Sequence, residues 1–270
     1  MKTLSAAVAG ASIPVTERPM PLARMIRAYA LAARSELLRA LRLPAFLIPF
    51  LLLPVLIYVL FGVLMSASEV RTHPGLPNVL FVGYAVFALM GPAVFGMGCS
   101  LAMERSIGLM QLKRAMPVPP GAYLGAKLLM CVAFATMATA LIGAVAAVAG
   151  HLTLTPLHLL ALSAVLVAGT LPFCAMGLLI GAYVSGSAAP GFANLVYLPM
   201  LYLSGLLFPL PKVLERWEGL WPSFHLGQVA RYAAGLPQLT HGNVALSGTY
   251  LIILTAVLTL LAMRRLARAG

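Results

Sequence analysis

Polar and apolar residues are segregated into long blocks along this chain. No Asp, Glu, Lys or Arg occurs in residues 43–68, 72–103, 128–211 or 232–263. A membrane-crossing helix needs roughly 20 mostly apolar residues, so these blocks have room for one, one, three and one crossings. Pro, Gly and Ser clusters subdivide the longest block. The pattern predicts six spans at about 44–65, 79–102, 123–150, 157–183, 191–208 and 245–263. Pro49, Pro54 and the Gly91-Pro92 pair predict kinks, because proline lacks a backbone donor and crowds the preceding turn.

The intervals between blocks carry the rest of the pattern. Residues 1–20 read as a flexible cytoplasmic tail, with an apolar stretch too short for a cleaved signal core. Residues 21–42 predict an amphipathic helix. Leu22, Met25, Ile26, Tyr29, Ala33 and Leu37 share one side, and Arg24, Arg27, Arg34, Arg39 and Arg42 the other. Glu36 breaks the pattern by falling on the apolar side. Such a basic helix beside a span is expected to lie in the headgroup plane, with its arginines toward anionic membrane lipid.

Between the second and third spans lies Met103 to Lys127. It mixes Glu104, Arg105, Lys113, Arg114 and Lys127 with Ile107, Leu109, Met110, Leu112 and Met116, ahead of Pro117, Pro119 and Pro120. A charged loop that also presents apolar side chains points to a partner. Residues 209–244 hold both tryptophans, Trp217 and Trp221. Trp favours the membrane–water boundary, so short helices lying at or dipping into the outer face are expected. Small residues at Gly143/Ala147 and Gly177/Gly181 are candidate helix-contact faces.

Composition sharpens this picture. The chain is 61% hydrophobic and only 9% charged, and it contains no Asp. A soluble domain carries about 25% charged residues, so too little polar surface is present to cover a globule. The net charge of +12 is not a nucleic-acid footprint, because the basic residues flank apolar runs. With both termini inside, six spans place fourteen basic residues on the cytoplasmic side and four outside, as the positive-inside rule requires. Five spans would put the basic C-terminal tail outside.

The sequence offers no catalytic constellation. The nearest approach to a phosphate loop, Gly121 to Leu128, has the wrong spacing and lacks the hydroxyl that would hold Mg²⁺. The five histidines have no ligand spacing, and Cys99, Cys131 and Cys174 stand singly in apolar runs. Without an aspartate, no Asp-containing carboxylate dyad can form. A bundle with no engine of its own needs an external energy source. A membrane-embedded lipid-modifying enzyme is a competing class, and it would need acidic metal-binding motifs. A non-transporting scaffold or sensor subunit is another.

Two stretches bear a family likeness. One is Glu104-Arg105-x-x-Gly108 followed by Leu112, Pro117, Gly125 and Lys127. The other is Asn194 to Pro211, followed by Trp221-Pro222 and His225. In these the chain, from about residue 22 to 265, resembles the permease subunits of ABC-2-type transporters, the group that includes daunorubicin-resistance-type bacterial exporters. Leu109 stands where that family usually has Thr, and Gln111 where it often has Glu.

The resemblance implies an all-α membrane protein of the bacterial cytoplasmic membrane. It implies six transmembrane helices in residues 43–270, an amphipathic connecting helix at 21–42, a cytoplasmic coupling helix and outer-face re-entrant helices. It implies a second copy or a related permease as partner, and ABC-type ATP-binding subunits that hold ATP and Mg, with no cofactor on this chain. The expected ATPase-coupling residues are Glu104, Gly108, Leu109, Met110 and Leu112. Glu104 is expected to pair with a basic group on the ATPase or on the 21–42 helix. The expected path for a lipophilic drug, antibiotic or lipid, moved outward, is lined by Phe81, Tyr84 and Phe87 with Asn194, Tyr197 and Tyr202.

Overall fold

The computed structural model describes residues 21–66, 73, 75–115, 120–207, 210–240 and 242–268. The predicted tail at 1–20, most of the loop after the first span and Pro117 and Pro119 lie outside the described residues. Among those described, the regular structure is entirely helical. The helices are α1 (Leu22–Leu41), α2 (Pro44–Met65), α3 (Leu76–Ser106), α4 (Leu109–Ala115) and α5 (Pro120–Val148). They continue as α6 (Pro156–Tyr183), α7 (Ala189–Tyr202), α8 (Lys212–Glu215), α9 (Pro222–Ala233) and α10 (Val244–Arg268).

Five of these helices, α2, α3, α5, α6 and α10, are long and apolar enough to cross a membrane. Within the apolar stretch of α3, 83% of the residues are buried inside the protein, against 11% for α10. α3 is therefore the central post, and α10 turns most of its surface outward. The prolines act as their chemistry requires. Widened π-type turns occur at Ile48–Leu52, Tyr58–Met65 and Pro92–Gly96, and the first and last of these contain Pro49 and Pro92.

Close packing of α3 on α6 depends on glycine. A Cβ on Gly177 would lie 2.5 Å from the Val94 carbonyl oxygen, and one on Gly181 would lie 2.9 Å from that of Gly98. Backbone meets backbone there, as small residues allow in membrane bundles. Gly177→Ala is accordingly expected to cost about 1–3 kcal/mol by overpacking. A melting temperature equal to wild type in detergent would refute this contact. The Gly143/Ala147 face behaves differently. Gly143 meets Phe81 only at ordinary van der Waals distance, and Ala147 is exposed.

The fifth predicted span is shorter than expected. α7 has 14 residues, or about 21 Å at 1.5 Å per residue, against a hydrocarbon core of about 30 Å. α9 fills the remaining height. Leu226 of α9 fits against Gly169, midway along α6, while Gly235, just past the end of α9, sits against His158 near the start of α6. The Ser223 hydroxyl donates to the Met200 carbonyl at 2.8 Å, satisfying one of the acceptors left at the end of α7. The tryptophan-rich interval thus supplies a helix packed into the bundle on α6 and α10, through Leu226 and through His225 with Tyr250.

Candidate functional site

α3 holds 31 residues, about 46 Å of helix. Its last turns therefore extend past a hydrocarbon core of about 30 Å, carrying Glu104 and Arg105 with them. Arg105 donates from Nη2 to the Val184 carbonyl at 2.6 Å and from Nη1 to the Ala182 carbonyl. A cation is thus placed on the unsatisfied carbonyls that end α6. Gly108 then adopts φ +74, the left-handed conformation that glycine takes without a Cβ clash. The chain turns there and starts α4. Ile107 at 67% exposure and Leu112 at 62% stand out into solvent at this turn, while Leu109 and Met110 are half-buried.

Glu104 does not face outward. It is only 3% exposed, and among the described residues three side chains donate to its carboxylate. Arg39 Nη2 and Lys127 Nζ each donate to Oε1 at 2.9 Å, and the Tyr123 hydroxyl donates to Oε2 at 2.7 Å. Lys127, in the second turn of α5, is fully buried and also donates to Ser100 Oγ at 3.0 Å. Glu36 of α1 completes the cluster, 3.0 Å from Arg39 and 3.7 Å from Lys127. Of the two partners expected for Glu104, the structure shows the one on the 21–42 helix.

The cluster explains how α1 is held. Tyr29 fits against Gly121 and Gly125 at the start of α5, Glu36 reaches Lys127, and Phe46 follows against Phe134. The contacts advance together along α1 and α2 and along α5, so the predicted apolar side of α1 packs on the bundle from Tyr29 to Ala40, whereas Leu22 and Ile26, before the start of this contact, are exposed. Arg24, Arg27, Arg34 and Arg42 point away and are exposed. Glu36, the misfit on the apolar side, is there because Lys127 is opposite. A buried charge is tolerated when paired and hydrogen-bonded, and removal of one partner is costly.

The predicted path residues do not converge on one channel in this chain. Phe81, Tyr84 and Phe87 are all buried on α3. Phe87 stacks at 6.4 Å on Tyr197, which also meets Phe95 at 5.4 Å. Tyr84 instead meets Tyr58 of α2 at 5.4 Å. Phe81 looks into a cavity of about 270 Å³ between α3, α5 and α6. Asn194 and Tyr202 are exposed on α7. Glu36, Arg39, Tyr123 and Lys127 belong to the site around Glu104 and are not among the site residues expected from the sequence. The one available signal is Glu36 out of register; Lys127 shares its position beside an apolar run with several other basic residues.

Long apolar helices around a central post, with a charged and partly apolar turn projecting at one end, define a multi-pass membrane protein. Residues 27–233 match the family model described as ABC-2 type transporter, and the chain belongs to that family. Over 199 residues it is 26% identical to "Putative transport permease YvfS" of Bacillus subtilis (strain 168), covering 73% of this chain and 81% of that protein. The protein is thus a membrane permease component of an ABC-2 type transporter, a transport subunit without catalytic activity. Permeases of this family generally pair with ATP-binding subunits.

Proposed function

We propose that the turn from Glu104 to Leu112 is the surface on which an ATP-binding subunit seats, and that two such permease chains export a lipophilic substrate from the cytoplasm. The observation that carries this reading is the pairing of an exposed apolar tip with a root bonded to neighbouring helices. Ile107 and Leu112 are exposed, while Glu104, four residues from the Gly108 turn, is locked to α1 and α5. Force applied to such a tip is passed to two other helices. Gly108 sets the angle, Met110 packs α4 against the core, and half-buried Leu109 and exposed Leu112 offer apolar docking surface. ATP and Mg would then sit on the partner subunit.

In this reading the chain crosses the bacterial cytoplasmic membrane six times, with α7 and the re-entrant α9 together making the fifth crossing and both termini cytoplasmic. The path follows the second and fifth crossings, where Phe87 and Tyr197 already meet and where Asn194 and Tyr202 are free to face a second permease chain. Rocking one bundle against another around a central site provides alternating access. Purification of the tagged chain from its host in mild detergent tests the reading. An ATP-hydrolysing subunit is expected in near-equal amount in the eluate. A folded permease with no nucleotide-binding companion would contradict it.

A further inference from the structure

Among the described residues, four charges at the root of the handle include one ion pair within α1 and one within the bundle. Glu36 and Arg39 lie 3.0 Å apart within α1. Glu104 of α3 and Lys127 of α5 lie 2.9 Å apart within the bundle. Two further contacts cross between these halves, Arg39 to Glu104 at 2.9 Å and Lys127 to Glu36 at 3.7 Å. Separating α1 from the bundle would break these crossing charge contacts and would also uncover Leu37, Ala40 and Leu41, which pack against the core. Each half would keep its own counter-ion, so no buried charge would be stranded, which is the outcome that makes breaking an ion pair expensive. A static clamp needs no such arrangement; one carboxylate on the bundle and one cation on α1 would hold as well.

Toward the C-terminal end of α1, Leu37, Ala40 and Leu41 pack against the core and hold it there; two other features favour parting. Arg39, the donor that reaches across from α1, has a side chain 52% exposed and can be taken up by water, whereas Lys127 is fully buried and stays with Glu104. Tyr29 of α1 meets two glycines, Gly121 and Gly125, a smooth track with no side chain to interlock.

We propose that Glu36, Arg39, Glu104 and Lys127 form a separable joint through which α1 undocks from α3 and α5 and docks again during transport. Glu36, Arg39 and Lys127 are then positioning residues for coupling, which no transport role has been given above. The functional part of this inference rests on the reading of the 104–112 turn as the ATPase seat. The joint itself can be tested without any ATP-binding subunit.

The experiment uses the full chain in lipid nanodiscs, spin-labelled at Leu31→Cys on α1 and Met263→Cys on α10, both exposed positions, with Cys99→Ala. Electron–electron distance measurements then read the docked and undocked fractions. The decisive comparison is E36Q/R39Q against E36Q/K127Q. The first removes one half's pair and both crossing contacts. The second leaves the crossing Arg39–Glu104 pair intact. The joint predicts a rise of about tenfold in the undocked fraction for E36Q/R39Q and less than about threefold for E36Q/K127Q. Equal effects of the two variants, or no effect of either, would overturn it.

A second measurement needs no charge substitution. Raising salt from about 0.05 M to about 0.5 M should screen the half-exposed Arg39 contact and increase the undocked fraction of the labelled protein. A distance distribution that ignores salt would overturn the joint. If α1 undocks as predicted but no ATPase co-purifies with the chain, the joint stands and the seat assignment falls.

Discussion

Replacing Glu104 by alanine is expected to destabilise the bundle by about 3–5 kcal/mol, because it strands a charge with no access to water. Lys127 is fully buried and has Glu104 at 2.9 Å. Its next carboxylate, Glu36, is 3.7 Å away and already shared with Arg39. Alanine would also leave the Tyr123 hydroxyl without its carboxylate acceptor. Adding Lys127→Met to Glu104→Ala should recover a good part of the loss, since the two residues interact directly and their effects will not add. Thermal unfolding of the solubilised chain, followed by size-exclusion of the surviving monodisperse fraction, measures both. A single Glu104→Ala variant that melts with wild type would remove the cluster from the energetics of the fold. Any transport defect of that variant is therefore to be read through the bundle, not through a lost contact with another subunit.

Leu112→Glu should do the reverse. The side chain is 62% exposed and the substitution lies on the outside of α4, so stability should change by no more than about 0.5 kcal/mol. If Leu112 seats in a partner, a central apolar anchor is worth about 2 kcal/mol or more, and burying a carboxylate in its place adds to the loss. Association with the ATP-binding subunit should fall by about 30-fold or more. A titration of the permease in nanodiscs with that subunit reads the affinity directly. The contrast is what matters: Glu104→Ala is predicted to melt early, and Leu112→Glu to fold normally and bind poorly.

Much of the fold was legible because the membrane imposes a simple code. Charge-free blocks of 26 residues or more admit few alternatives to spanning helices, and the five long helices fall where the blocks predict. The fifth predicted span, 191–208, is less legible. Asn194 to Pro211 is apolar enough for a span, yet Pro199 and the left-handed Gly205 shorten the helix, and the neighbouring tryptophan-rich segment supplies α9 to cover the gap. Hydropathy registers apolar content and cannot say that two short helices share one height. The Gly177/Gly181 face was legible as spacing, whereas the similar Gly143/Ala147 spacing was not used for close approach. Only a partner backbone distinguishes the two.

The site was legible in its parts but not in its connections. The Gly108 turn and the apolar tip at Leu112 follow from residue type and order. The burial of Glu104 does not, because it depends on α1 arriving beside α5 from far away in sequence. Glu36 carried part of the missing information. A carboxylate on the apolar side of an amphipathic helix needs a buried cation, but Lys127 is one of several basic residues that abut apolar runs, so sequence alone does not single it out.

The most direct test of the central claim is site-specific photo-crosslinking from position 112. A photoreactive amino acid is placed there in the otherwise native chain, expressed in its host, and the membranes are irradiated. The account predicts one dominant adduct, containing a nucleotide-binding subunit, and no such adduct from exposed positions on α10 such as Ile252. Adducts to lipid alone at position 112, or the same protein adduct from Ile252, would contradict the assignment of this turn as the ATPase seat.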